Sequence, residues 1–178
     1  VKIESEKLKS TINDTLDIMY SDNFNTKNSI KKEETIKNIL TNNYELQVII
    51  RRVMGRNWKK LNPKEQKKVS QLIIQLSIKN FIRGLEGKSR PLIKYGKTIQ
   101  STPKRIEIPI TVIFNKNKIY NIEYRLGYLK TGWQIFDIIA EEISIVSNYR
   151  QQINDHFRKK NGTELIEKLN ELLNKNNK

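Results

Sequence analysis

The sequence predicts an α+β fold in which several helices pack against one antiparallel sheet. Residues 1–95 carry apolar side chains at steps of three and four, which is typical of helices, and residues from about 97 to 143 alternate apolar and polar side chains, as strands do. Residues from about 145 to 175 return to the helical spacing. Helices and strands grouped in this way are typical of an α+β fold. The 178 residues are expected to form a single domain.

The N-terminal helices are predicted from three sets of apolar residues, with a polar loop over residues 21–28 after the first set. Gly55 follows the third set, at the position where a left-handed helix C-cap is expected. The sets are Leu8, Ile12, Leu16 and Met19; then Ile30, Ile36, Ile39 and Leu40; then Leu46, Ile49, Ile50 and Val53.

The clearest helix start is Asn62-Pro63-Lys64-Glu65. Asn is a good N-cap, Pro fits the first helical position, and Glu three residues after the cap completes a capping box. The helix is expected to continue to about Arg83, before Gly84. Its buried face is predicted to carry Val69, Leu72, Ile73 and Leu76.

A meander of three to four strands is predicted from period-two alternation between about residues 97 and 143, with the fourth strand near residues 92–99. The predicted inward faces are Ile106, Ile108, Ile110, Val112 and Phe114 on one strand and Tyr120, Ile122, Tyr124 and Leu126 on the next. The inward residues named on both strands have even numbers, so they share one face of the sheet only if each cross-strand pair joins two residues whose numbers have an even sum. We therefore expect three-residue loops at 115–117 and at 130–132. The resulting pairs are Val112 with Tyr120, Ile110 with Ile122, Leu126 with Phe136 and Tyr124 with Ile138.

Two further helices are predicted after Ser144. The first carries Val146, Tyr149, Ile153 and Phe157 along one side and ends near Gly162, and the last carries Leu165, Ile166, Leu169, Leu172 and Leu173.

The formal charge of +15 is the strongest compositional signal, and it leaves two interpretations open. Such a surface attracts phosphate groups in nucleic acids or lipids and acidic proteins, or it reflects a coding bias toward Lys and Asn. No apolar run approaches the roughly 20 residues that span a bilayer. The chain has no Cys and one His, His156, so cysteine-ligated metals and paired-histidine sites are excluded. The sequence also has no phosphate loop, dinucleotide fingerprint or nucleophile elbow.

Three motifs, taken in order, resemble the MlaC family of periplasmic phospholipid-binding proteins, the toluene-tolerance type. They are Val53-Met54-Gly55-Arg56-Asn57-Trp58-Lys59 with Asn62-Pro63-Lys64-Glu65-Gln66, then Tyr124-Arg125-Leu126 with Gly132-Trp133-Gln134-Ile135-Phe136-Asp137, then Ile143-Ser144-Ile145-Val146-Ser147-Asn148-Tyr149-Arg150. Met54 stands where the family often has Leu, Lys59 where it has Arg, and Ile143 where Gly is usual. The resemblance covers about residues 30–172.

The resemblance implies an NTF2-like, MlaC-like fold with an internal apolar cavity that accepts phospholipid tails. It implies a phospholipid ligand with no cofactor and no metal, no catalytic residues and no enzyme activity. It also implies lipid transport that maintains outer-membrane lipid asymmetry, as the substrate-binding component of an ABC transporter system. The partners would be an inner-membrane ABC transporter complex and an outer-membrane lipoprotein/porin complex, met by a monomer in the periplasm after signal-peptide removal.

Candidate site residues follow from the resemblance and the predicted faces. The lipid-binding candidates are Ile50, Met54, Leu72, Leu76, Ile110, Val112, Ile122, Tyr124, Ile138, Val146 and Tyr149. The candidates for contact with a head group or partner are Arg150, Arg51 and Arg56. Alternatively, the apolar residues fill an ordinary core, and Arg150 forms a structural ion pair with Asp137.

Two other functions stay open at this point. A basic nucleic-acid-binding module would need exposed aromatic side chains beside its Lys and Arg residues, whereas Tyr120, Tyr124 and Phe136 are predicted to point inward. A small-molecule enzyme on the same fold would need a polar group of residues inside the pocket, with Asp137 and His156 as candidates.

Overall fold

The structure is a computed structural model, and it describes residues 1–21, 29–115 and 117–175, without the side chain of Ser29. The α-helices are α1 (Lys2–Met19), α2 (Ser29–Asn43), α3 (Gln47–Met54), α4 (Pro63–Leu85), α5 (Ile145–His156) and α6 (Gly162–Lys175), and a 3-10 helix spans Gly55–Lys60. The strands are β1 (Leu92–Tyr95), β2 (Ile99–Thr102), β3 (Arg105–Phe114), β4 (Lys118–Leu129), β5 (Gly132–Ala140) and β6 (Ile143–Ser144). The predicted α+β class is confirmed.

The sheet is antiparallel and larger than predicted, with six strands in the order β1-β3-β4-β5-β6 and with β2 also paired to β3. The long strands β3, β4 and β5 form the predicted meander. Short β1 and β2 pair in succession along the outer side of β3. The helical region therefore ends at Leu85 rather than near residue 95, and the sheet begins with β1 at Leu92, where the fourth strand is predicted.

The centre of β3 contains Pro109, which has no backbone N–H to donate. Its carbonyl accepts a hydrogen bond from the N–H of Gly96, at 2.8 Å, between β1 and β2. The backbone N and C=O of one strand residue point to the same side of the strand. The nitrogen of Pro109 therefore points, like its carbonyl, toward the gap between β1 and β2, where β3 has no paired strand. The proline therefore interrupts no pairing within β1 or β2.

The β3–β4 register is as predicted, with Val112 opposite Tyr120 and Ile110 opposite Ile122. The strands end at Phe114 and begin again at Lys118, as a three-residue loop requires, although Lys116 lies outside the described residues. Tyr120 is nevertheless 42 % exposed, so the prediction that it points into the core is wrong. It lies near the end of the sheet and packs edge-to-face on Phe114, with ring centroids 6.0 Å apart.

The β4–β5 register is confirmed at Tyr124–Ile138 and wrong nearer the turn. Leu126 pairs with Ile135, not Phe136, because the register shifts between Arg125 and Leu126. The turn is also shorter than predicted, since Leu129 pairs directly with Gly132, whose φ is +96°. A β-bulge adds one residue to one strand and so returns the pairing to the predicted register beyond it.

Two predicted helix ends are confirmed. The Asn62 side chain accepts from the N–H of Glu65 at 2.8 Å, and the Glu65 carboxylate accepts from the N–H of Asn62 at 3.0 Å, which completes the capping box. Gly55 ends α3 at the predicted position, but its φ of +54° and ψ of −133° are not those of the predicted left-handed cap, although the positive φ still favours glycine. The loop predicted over residues 21–28 lies outside the described residues except for Ser21.

Candidate functional site

Within the described residues, buried apolar side chains form three clusters, and the half-buried Ile74 packs against two of them. The helical cluster joins α3, α4 and α6 through Ile50, Met54, Leu61, Val69, Leu72, Leu165, Leu169 and Leu173. The sheet cluster joins α1 and the sheet through Leu8, Tyr44, Ile106, Ile108, Leu126 and Ile135. A small third cluster contains Ile36, Ile78 and Ile82. A domain more often has one contiguous core with small satellites, so the division between helices and sheet is a distinctive feature of this chain.

The helical cluster includes four of the six lipid-binding candidates predicted on helices. Ile50, Met54 and Leu72 are 2 %, 0 % and 3 % exposed, and the half-buried Leu76 packs against them. Such complete burial is that of a close-packed core, which leaves no free space beside these side chains. Whether they also contact lipid stays a prediction.

The sheet cluster is less completely closed, and it contains Tyr124 and Ile138 among the predicted lipid-binding residues. Both are half-buried and pack against its buried members. Ile110 and Val112 are buried on β3, and Ile122 opposite Ile110 is half-buried. Half-buried apolar residues from α1 and α3 border the same cluster: Ile12, Leu46 and Ile49. The sheet side therefore has apolar surface that the helices do not cover.

A pocket of about 260 Å³ opens at one end of the sheet cluster, between the start of α1 and the β4–β5 turn. Its walls include the cluster residues Tyr44 and Leu126, with Trp133 beside them and Glu4 and Lys7 on the α1 side. Pockets for drug-sized ligands usually have about 300–1,000 Å³. The open volume is therefore smaller than a phospholipid needs, and a lipid would have to move the half-buried side chains apart.

Three tyrosines from distant parts of the chain have buried or half-buried side chains between α1 and the sheet. Burial raises the pKa of Tyr124 to about 12, although its side chain keeps some accessible surface. Burial likewise raises the pKa of Tyr44 to about 12 and moves the pKa of Tyr95 upward. The Tyr95 hydroxyl donates to Asn13 Oδ1 at 3.5 Å. An interior with polar hydroxyls and accessible apolar surface is suited to an amphipathic ligand.

Asp137 organises the start of α5 and is 7 % exposed. Its Oδ1 accepts from the N–H of Ile138 at 2.8 Å and from the N–H of Val146 at 3.2 Å, and its Oδ2 accepts from Ser144 Oγ at 2.6 Å. Ser144 Oγ in turn accepts from the N–H of Ser147 at 3.0 Å and caps α5. The candidate Val146 is thus buried at this junction, whereas the candidate Tyr149 is 48 % exposed.

Arg52 and Arg105 lie over the ring of Phe136, and Arg150 is bonded to the backbone of Arg52. Arg150 Nε donates to the carbonyl oxygen of Arg52 at 2.6 Å, which is the contact found in place of the predicted ion pair with Asp137. The guanidinium carbons of Arg52 and Arg105 lie 5.1 and 5.2 Å from the centre of the Phe136 ring. Phe136 is therefore not an inward core residue, which corrects the prediction. Partial burial, with Arg150 and Arg105 nearby, lowers the pKa of Arg52.

The other two arginine candidates lie apart from this group. Arg51 is exposed, with its guanidinium carbon 5.5 Å from the Trp58 ring. Arg56 is exposed in the 3-10 helix. Sequence reasoning missed Arg105 as a neighbour of Arg150, and it missed Tyr44 altogether, since neither position belongs to a periodic pattern.

The polar groups proposed for an enzyme do not converge. His156 Nε2 lies 2.9 Å from the carbonyl oxygen of Asn161 at the end of α5, whereas Asp137 is bonded at the start of the same helix. Across the described ranges, no three His, Asp or Glu side chains lie close enough together to hold a metal ion. None of the described helices is both long and apolar enough to cross a membrane.

Together, these features define a small α+β protein with a divided apolar interior and a basic surface. A family model described as MlaC protein matches residues 9–171, so the chain belongs to the MlaC family. The predicted resemblance is confirmed.

A solved structure has the same fold. It is the phospholipid-binding protein from Ralstonia solanacearum in complex with a phospholipid, with a TM-score of 0.84, 18% identity and coverage of 98% of both chains. At this identity the likeness is one of fold. No curated protein matches the sequence significantly.

Proposed function

We propose that this protein is a phospholipid carrier that holds acyl chains between the sheet and the helices. The observation that carries the proposal is family membership over residues 9–171, together with a fold shared with a protein crystallised with a phospholipid. The half-buried apolar surface of the sheet cluster supports placing the tails there. We assign the protein a binding role without catalysis, exercised by a single domain.

The energetics of such a carrier follow from the hydrophobic effect. Removing a methylene from water contributes about 0.8 kcal/mol, so a two-chain lipid is held firmly against release into water. The same gain nearly vanishes against a bilayer, where the tails already lie in hydrocarbon. Loading and release therefore need partner complexes rather than an energy source in this chain.

We assign those exchanges to the periplasm, between an inner-membrane ABC transporter complex and an outer-membrane lipoprotein/porin complex, where they maintain lipid asymmetry. The charge of +15 supports docking on anionic surfaces. Arg150 with its neighbours Arg52 and Arg105 forms the group of guanidiniums best placed for an acidic partner. Arg51 and Arg56 are proposed as outlying members of the same basic surface.

The experiment is lipid identification in protein purified without detergent. The protein is washed at high salt to remove anionic lipid from the basic surface, then extracted with organic solvent, and the extract is analysed by mass spectrometry. The proposal predicts near-stoichiometric phospholipid. Empty protein that also takes up no phospholipid from vesicles would contradict it.

One observation favours a second candidate, a nucleic-acid-binding module. Tyr120, Tyr128 and Tyr149 are 42 %, 53 % and 48 % exposed on a strongly basic chain, so stacking surfaces exist that the sequence did not predict. Such binding would weaken steeply with salt. Titration with single-stranded DNA at two salt concentrations separates the candidates, and the carrier proposal predicts no binding at physiological salt.

A further inference from the structure

The feature that carries a further inference is the hydroxyl group of Tyr44. This side chain is 5 % exposed, and its hydroxyl has no hydrogen-bond partner among the residues that the structure describes. Buried polar groups are satisfied in the great majority of cases, and one left without a partner requires an explanation. The neighbouring Thr11 hydroxyl lowers the pKa of Tyr44 as a weak hydrogen-bond acceptor would, but the contact between the two hydroxyls does not have the geometry of a hydrogen bond, and Thr11 donates its own proton to the Lys7 carbonyl at 2.8 Å.

The position of Tyr44 connects the pocket with the interior of the sheet cluster. Its side chain is part of the pocket wall, and it packs among the buried apolar residues of the cluster. Its hydroxyl interacts electrostatically with Tyr124, whose half-buried side chain faces the same cluster. The free donor therefore lies inside the region where the acyl chains are proposed to bind.

The buried position of the Tyr44 hydroxyl determines which group of a ligand can accept its hydrogen bond. Lys7 Nζ lies 4.7 Å from the centre of the Tyr44 ring, at the pocket. Thr11, next to the hydroxyl, is one turn of α1 further along and 4 % exposed. A charged phosphate is costly to bury at that depth, whereas a neutral carbonyl needs only one hydrogen bond. In a diacyl phospholipid the ester carbonyls lie between the phosphate and the tails. The Tyr44 hydroxyl likewise lies between Lys7 at the pocket and the apolar side chains of the sheet cluster.

We propose that the Tyr44 hydroxyl donates a hydrogen bond to an ester carbonyl of a bound diacyl phospholipid, with the phosphate toward Lys7 and the tails along the sheet cluster. This inference rests on the proposed function and adds a selection for ester-linked lipid. The chemistry predicts that an ether-linked lipid of the same head group and chain length binds more weakly, because it has no carbonyl to accept the bond.

The test is a competition between two lipids in one vesicle preparation. Vesicles contain equal amounts of dipalmitoyl phosphatidylethanolamine and its dihexadecyl ether analogue, and the ratio loaded onto the protein is read by native mass spectrometry. A buried donor left unsatisfied costs enough to predict about a tenfold preference for the ester lipid. Tyr44→Phe should load both lipids equally. Tyr20→Phe, which removes a hydroxyl bonded to the Ser89 carbonyl at 3.3 Å, should keep the preference.

Equal loading of both lipids on the unaltered protein would overturn the inference and leave the carrier function standing. A preference that persists in Tyr44→Phe would overturn it as well. Failure to load either lipid would overturn the proposed function and this inference with it. The empty Tyr44→Phe protein should unfold at an unchanged or higher temperature, since it loses only an unsatisfied group. A lower midpoint would show that Thr11 satisfies the hydroxyl, and would refute the assignment.

Discussion

Replacing Asp137 tests whether this carboxylate holds the start of α5 against the sheet. In Asp137→Ala, the N–H groups of Ile138 and Val146 and the hydroxyl of Ser144 all lose their acceptor. The side chain is 7 % exposed, so water does not readily replace it. Each buried donor left without a partner costs about 1–3 kcal/mol. We expect the two N–H groups together to lower the free energy of unfolding by about 3 kcal/mol.

Asp137→Asn removes the charge of the side chain and keeps its shape, so it separates the two contributions to stability. The amide keeps one oxygen for the two N–H groups and turns its NH₂ toward Ser144, but it loses the strength of charge-assisted bonds. The expected loss is about 1–2 kcal/mol. The control is Asp155→Asn at the other end of α5, where the carboxylate is 55 % exposed and pairs with Arg158 at 3.4 Å. An exposed pair of this kind contributes less than about 0.5 kcal/mol.

The assay is urea unfolding followed by circular dichroism, with free energies from linear extrapolation. The order of stability should be unaltered protein and Asp155→Asn, then Asp137→Asn, then Asp137→Ala. The reasoning would be refuted by an Asp137→Ala protein within about 0.5 kcal/mol of the unaltered one. Equal losses in the two Asp137 variants would show that the neutral amide replaces none of the carboxylate's bonds, whereas an Asp137→Asn protein as stable as the unaltered one would show that the charge contributes nothing.

Three more predictions concern stability. Met54→Ala should cost about 3 kcal/mol in urea unfolding, because Met54 is 0 % exposed in the helical cluster, and a small loss would show a loosely packed site. Asn62→Ala should cost about 1 kcal/mol by the same assay through loss of the capping box, and an unchanged midpoint would contradict this. Because the pKa of Tyr44 is raised from 10.0 to about 12, the unfolded state loses this proton first, so stability should fall as pH rises through that range. The free energy of unfolding of Tyr44→Phe should fall less steeply as pH rises, which unfolding measured at each pH checks. Parallel curves of this free energy against pH for the two proteins would contradict the burial of the hydroxyl.

Much of the sheet could be predicted because period-two alternation determines which strand registers bury one face. The pairing of Ile110 with Ile122 follows from that rule alone. The bulge near Phe136 could not be predicted, since Ile135 and Phe136 are adjacent apolar residues and either one satisfies the alternation. The exposed strands β1 and β2 were predicted only as one strand near residues 92–99, because they bury too little to show a clear pattern.

The candidate site was harder to predict because it joins residues that are distant in sequence. Tyr44 lies between α2 and α3 and meets Tyr124 on β4 only through tertiary packing. Arg52 and Arg150 likewise come together from α3 and α5. Periodicity shows which side of an element is buried, but not which buried sides meet.

The central claim is that acyl chains lie against the sheet cluster rather than in the helical cluster. The two tryptophans test it, because Trp133 packs on the sheet cluster and Trp58 on the helical cluster. Trp58→Phe and Trp133→Phe each leave one tryptophan, whose emission is excited selectively, and each protein is loaded with phospholipid brominated along its tails. We expect strong quenching of Trp133 and little quenching of Trp58. Quenching of Trp58 alone, or of neither residue in fully loaded protein, would contradict this placement of the lipid.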